Sequence, residues 1–288
     1  MEKNTGRKFF VGGHWRCHGT QSDRVPERWK RADEKVTELV NSLNDGKVTG
    51  VVEVVVFPSD VFLPLVKKLL RSDFQIGAQN CGLNNCSAVN FSCDFVDVGC
   101  WVMKIDAPGE VSIEMLTKLE VPWVILGHSE RRFLLNETNE VVANKVAHAL
   151  SHGLKVIVCV GDTPTQQKAG SSIKTITKQI SAFADKVVDW TNIVLAYEPV
   201  WALGTSVDPS PAQAQAMLRE MRNWLLENTA PEVAASTRII YAGVVMNLYH
   251  MSLLSICLFS LSLVQLVFCL AFEFCSTLVL LSYNLLTW

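Results

Sequence analysis

The sequence predicts an α/β chain closed as a (β/α)8-type barrel, with the last βα unit replaced by a hydrophobic tail. Three observations lead there. Seven short apolar runs rich in Val and Ile recur along the chain, each bounded by Gly, Pro or polar residues. Stretches of helical spacing lie between them. His128, Asp162 and Glu198 each fall just past the C-terminal end of a predicted strand. In a parallel barrel those ends converge on one face, whereas an open dinucleotide-binding sheet would carry a GxGxxG turn after its first strand, and none is present.

The predicted strands are Lys8 to Gly12, Val51 to Phe57, Phe74 to Gln79, Trp123 to Gly127, Lys155 to Val160, Ile193 to Tyr197 and Arg238 to Tyr241. Their unbroken apolar character suits strands buried on both faces. Helices are predicted from the spacing of Val36, Leu39, Val40 and Leu43, from Val142, Val146 and Ala149, and across Ala212 to Asn228. This alternation means a parallel sheet.

At 288 residues and 49% hydrophobic, the chain has material for one large barrel or two smaller domains. A formal charge of −2 gives no sign of a nucleic-acid partner. The nine cysteines show no paired CxxC spacing and read as reduced thiols. A metal site would also need grouped histidines, and none are read from the sequence, so no metal and no cofactor are expected. Met1 to Arg7 holds no apolar signal core, and a cytoplasmic location is expected.

Three blocks give the chain its resemblance: FFVGGHWRCHGT at Phe9 to Thr20, VPWVILGHSERR at Val121 to Arg132, and AYEPVWALGT at Ala196 to Thr205. They resemble triosephosphate isomerase, in its plant cytosolic form, across most of Arg7 to Gly243. The resemblance implies the TIM barrel of that family and a cofactor-free isomerase of glycolysis and gluconeogenesis. Such an enzyme interconverts dihydroxyacetone phosphate and glyceraldehyde 3-phosphate through an enediolate. Glu198 matches the base and His128 the electrophile at a helix start. Glu130, Arg131 and Arg132 read as a structural ion network. Gly204 lies in the lid, where its N–H would face the substrate phosphate, and Trp201 would swing with that lid. Asp162 stands where the family has a glutamate that meets the indole N–H.

Several positions depart from the family pattern. His14 and Arg16 stand where the family has Asn and Lys; Arg16 keeps the charge with different donor geometry, and weakened catalysis is expected. Val244 stands where a serine binds phosphate, and it has no hydrogen bond to donate. The predicted organisation is therefore a barrel over 1–245, with insertions at about 22–32 and 82–100, followed by a tail over 246–288. The family forms a homodimer through its third loop, which is lengthened here and lacks the threonine that crosses to the neighbour. An eighth stave is not recognisable, which leaves the edges of the first and seventh strands unpaired unless the tail supplies a substitute. Residues 251–272 carry no charge and are long enough to cross a bilayer as a helix. The rival reading is thus a catalytically impaired isoform, tail-anchored in a membrane.

Overall fold

The computed structural model describes residues 8–16, 32–46, 52–83, 109–203, 205, 209–244 and 278–282; at Val244 and Leu278–Ser282 the description is of the backbone. Gly204, residues 84–100 of the long loop and the uncharged stretch 251–272 lie outside the described residues, as does most of the insertion at about 22–32.

The strands are β1 (Phe9–His14), β2 (Val52–Phe57), β3 (Gln75–Ala78), β4 (Trp123–Leu126), β5 (Lys155–Gly161), β6 (Ile193–Glu198), β7 (Arg238–Val244) and β8 (Leu278–Ser282). They form one closed barrel in that order. The first seven pair in parallel, as the alternation predicts. Four of them run past their predicted ends: β1 reaches His14, β5 reaches Gly161, β6 takes in Glu198 and β7 reaches Val244.

The eighth stave comes from the tail. β8 pairs antiparallel with both neighbours, Val11↔Leu281 to His14↔Leu278 on one side and Ile240↔Ser282 to Val244↔Leu278 on the other. The edges of β1 and β7 are therefore paired along these residues, which removes the exposed ladder of an open barrel. Because β8 runs backwards, its first residue lies at the C-terminal face of the barrel, level with His14 and Val244.

Outside the sheet pack α1 (Ala32–Asp45), α2 (Leu63–Leu69), α3 (Ile113–Lys118), α4 (Ser129–Leu134), α5 (Asn139–Ser151), α6 (Pro164–Lys168), α7 (Ser172–Ala184), α8 (Pro211–Asn228) and α9 (Pro231–Ser236). Alternation of side chains explains the continuous apolar runs. Val55, Phe57, Trp123, Ile125, Ile157, Cys159, Val194, Ala196 and Ile240 fill the barrel interior. Their sequence neighbours, such as Val54, Val56, Val124, Val156 and Val158, face the helices. Both faces are thus dry. At the N-terminal ends of the strands, Glu53 takes Arg238 at 2.5 Å and Lys155 at 3.5 Å. The Arg238 guanidinium lies over Phe10 and Trp123, closing the floor of the barrel.

Candidate active site

The turn out of β4 positions the imidazole. Gly127 has a φ of +76°, a left-handed conformation that a side chain resists, and a Cβ there would press on Arg132, the Cys159 carbonyl and Val142. Arg132 reaches back to donate to the Gly127 carbonyl at 2.7 Å and to Asn139 at 2.8 Å, locking the turn. His128 then caps α4. The Glu130 amide donates to His128 Nδ1 at 3.3 Å, so Nδ1 carries the lone pair and Nε2 the proton. Nε2 lies 3.2 Å from Glu198 Oε1.

Glu198 ends β6, and its carboxylate lies against the first residue of α4. The Ser129 amide donates to Oε2 at 2.9 Å and the Ser129 hydroxyl to Oε1 at 3.4 Å. Both site residues are shielded from water, Glu198 at 2% exposure and His128 at 4%. The close approach of β5 and β6 depends on Gly161, Glu198's register partner; a Cβ at that position would collide with the Glu198 carbonyl oxygen. Cys159, inside the barrel beneath, is no nucleophile: burial first, and then the Glu198 charge, push its thiol well above the ordinary range.

Asp162 follows β5 and is buried, and the structure corrects the latch expected there. Its carboxylate accepts from Ser172 at 2.5 Å and from the Tyr197 hydroxyl at 3.1 Å. The Trp201 indole N–H donates to Tyr197 Oη at 3.4 Å, and the Trp201 amide to the Asp162 carbonyl at 3.1 Å. The indole therefore reaches Asp162 through Tyr197, because two hydroxyls already occupy the shorter carboxylate. Burial raises the Asp162 carboxyl against the lowering effect of those hydroxyls, and raises the Tyr197 phenol as well.

The β1 side supplies His14 and Arg16. His14 is buried with its ring edge-on to His128, centroids 5.1 Å apart. Arg16 has a φ of +50°, and its carbonyl accepts from Ser59 and from Gln79, each at 2.8 Å. Its guanidinium pairs with Glu130 of α4 at 3.2 Å. Val244 ends β7 at the same level, while Gly204 lies outside the described residues. The geometry thus brings together His14, Arg16, His128 and Glu198.

Behind this face lies a closed polar ring. Asn80 donates to Glu110 at 2.9 Å; Arg131 bonds Glu110 at 3.3 Å and Glu137 at 2.7 Å; Lys145 bonds Glu137 at 2.7 Å and Asn80 at 3.0 Å. Burial works to raise the Glu137 carboxyl, but Lys145 and Arg131 outweigh it and hold the group below its ordinary value. The ring fastens α4, and with it His128, to β3 and α5. Arg131 is part of this ionic ring, whereas Arg132 is held by backbone carbonyls and the Asn139 side chain.

Sequence reasoning missed Ser129, Ser172 and the Tyr197 relay. Ser129 and Glu198 are 69 residues apart, and only the closing of the barrel joins them. It also missed a grouping of histidines: His148 and His152 stand four apart on α5 beside Glu114, one ligand atom of each within 4.8 Å of the others. The i, i+4 spacing on one helix face was the available signal.

A buried imidazole and a buried carboxylate at the C-terminal ends of barrel strands define the class: a (β/α)8-type barrel with its polar site on the face where such barrels carry active sites. A family model described as triosephosphate isomerase matches residues 107–254. The chain is 49% identical over 241 residues to a cytosolic triosephosphate isomerase of Oryza sativa subsp. japonica, covering 83% of each chain. It is 44% identical over 242 residues to a cytosolic form of Stellaria longipes, covering 83% of this chain and 82% of the relative. A chloroplastic form of Secale cereale is 40% identical over 237 residues, covering 82% of this chain and 69% of the relative. The chain belongs to the triosephosphate isomerase family, a family of isomerases.

Proposed function

We propose that the chain interconverts dihydroxyacetone phosphate and glyceraldehyde 3-phosphate, as an enzyme of glycolysis and gluconeogenesis. The observation that carries this reading is the pair of Glu198 and His128, 3.2 Å apart at the ends of β6 and β4 and shut away from water. Glu198 takes the proton from the carbon beside the substrate carbonyl, once its carboxylate exchanges the Ser129 bonds for substrate. His128 Nε2–H donates to the carbonyl oxygen, and negative charge develops on an enediolate. Glu198 then returns the proton to the neighbouring carbon, while His128 passes the hydroxyl proton to the oxygen that began as the carbonyl. Protons alone move in this scheme, so it requires no cofactor.

Arg16 supplies positive charge for the phosphate and the enediolate, and its pairing with Glu130 supports that role by holding the guanidinium near the His128 helix. His14 lines the pocket through its contact with the His128 ring. Gly204 and Val244 are proposed to border the phosphate on the strength of the resemblance. A homodimer is proposed on the family pattern, supported by the exposed apolar run Phe133, Leu134 and Leu135 at the end of α4. A cytosolic location is supported by the similarity to the cytosolic isomerases of Oryza sativa and Stellaria longipes. Among the described residues no helix is long and apolar enough to cross a membrane.

The test is a coupled isomerase assay on the purified full chain beside Glu198→Gln. Turnover in the wild type that falls by about 10²–10⁴-fold in the variant supports the assignment. No turnover above the variant would favour the catalytically impaired isoform.

A further inference from the structure

A second group of chemistry-bearing side chains lies away from the mouth. His148 is in the last turn of α5 and His152 caps it, so the two share one helix face, with ring centroids 4.6 Å apart. Glu114 reaches across from the first turn of α3, its Oε1 3.8 Å from His152 Nε2. One donor atom from each residue lies within 4.8 Å of the other two.

The tautomer of His152 is set for ligation. Its Nδ1 lies 3.0 Å from the His148 carbonyl, and a carbonyl can only accept, so Nδ1 carries the proton. The lone pair is then on Nε2, facing Glu114. A ligand imidazole is ordinarily oriented in this way, with its second nitrogen donating to a backbone carbonyl. Glu114 adds an independent observation: its Oε2 is buried and accepts no hydrogen bond among the described residues.

We propose that Glu114, His148 and His152 bind one divalent ion of the zinc and copper group, with water completing the shell. Two imidazoles and one carboxylate suit zinc, cobalt, nickel or copper better than calcium or magnesium, which prefer oxygen ligands throughout. In a tetrahedral shell with bonds of about 2.0–2.1 Å the donors stand about 3.3 Å apart, so these side chains close by about 1.5 Å or less on loading. His152 is exposed and the other two half-buried, which gives the ion access and the side chains room to move.

The position determines what the ion does. His152 lies just before Lys155, the first residue of β5, at the end of the barrel opposite Glu198. The ion would not meet substrate. It would tie α3 to α5, adding to the Glu110–Asn80–Lys145 side of the polar ring, which joins the segment just before α3 to α5. The site is therefore a staple, independent of the proposed isomerase activity.

The experiment titrates the metal-stripped full chain with Zn2+ against a chromophoric chelator, and with Co2+ by visible absorption, under a non-thiol reductant. Expected are one site per chain, a cobalt spectrum without intense thiolate bands, and a rise in Tm with Zn2+. His148→Ala and His152→Ala should each weaken binding by at least about tenfold and abolish the rise. Glu114→Gln keeps the side chain's shape and should weaken binding while leaving the metal-free Tm and isomerase turnover unchanged. Wild-type affinity in these variants, thiolate bands in the cobalt spectrum, or no saturable binding would overturn the proposal.

Discussion

The barrel wall from β4 to β6 and the wall from β7 through β8 to β1 border the same mouth but are built differently. In the first, each parallel strand ends at the mouth and hands the chain to a turn or helix there. Leu126 leads through Gly127 to the His128 cap of α4, and Gly161 leads through Asp162 to α6. The buried acidic groups at that mouth are held: Glu198 by Ser129, Asp162 by Ser172 and Tyr197. In the second wall β8 runs the other way, beginning at the mouth with Leu278 and ending at the floor with Ser282. A strand so oriented cannot pass the chain to a helix N-terminus at the mouth, the arrangement that gathers backbone N–H groups for an anion. Among the described residues, charge on this side comes from Arg16, which is itself engaged by Glu130 of the opposite wall. On the proposed mechanism, proton transfer and anion holding are separable in this barrel, and among the described residues the proton-transfer side is the more completely built.

Glu137→Gln bears hardest on that difference, because it opens the ring behind α4. Removing one partner from a buried charge network costs about 3 kcal/mol or more. A carboxyl held below its ordinary 4.5 in the folded state lends stability above the unfolded value and loses it as pH falls through the folded one. Urea unfolding across pH should therefore show a steeper acid decline for wild type, below about pH 4.5, than for the variant. Parallel declines would show that the ring does not anchor this wall.

Gly161→Ala attacks the same wall at the strand itself. The added methyl meets the Glu198 carbonyl, and a displacement of about 1 Å at the base lowers kcat by about 10²-fold. Unchanged kcat would mean that Glu198 is not the base. A smaller effect is expected of Tyr197→Phe, which removes the relay between Trp201 and Asp162. It should cost about 1–2 kcal/mol in thermal unfolding, together with a change in Trp201 fluorescence. Arg16→Lys probes the other wall and has the smallest effect, a rise in kcat/KM of about threefold, since the half-exposed pair with Glu130 contributes little energy. A fall instead would show that this pair positions the mouth.

Most of the first wall was legible in the sequence because its signals are local. The apolar runs at Trp123, Lys155 and Ile193 mark buried strands, and His128 and Glu198 stand beside the residues that identify them. The contacts that hold them were not legible, since Ser129 meets Glu198 across 69 residues of chain and Tyr197 meets Asp162 across 35. Side-chain reach set the Trp201 latch, which the sequence alone assigned to Asp162 directly. The eighth stave escaped prediction for another reason: 278–282 sits in a long apolar stretch with no Gly or Pro to mark its ends, and periodicity carries no information on strand direction.

The most direct measurement is exchange of solvent deuterium into dihydroxyacetone phosphate by the full chain in D2O, beside Glu198→Gln. The predicted result is deuterium at the carbon bearing the hydroxyl for wild type and none above background for the variant. Absence of label with wild type, or equal labelling by both, would contradict a mouth in which Glu198 and His128 move the proton.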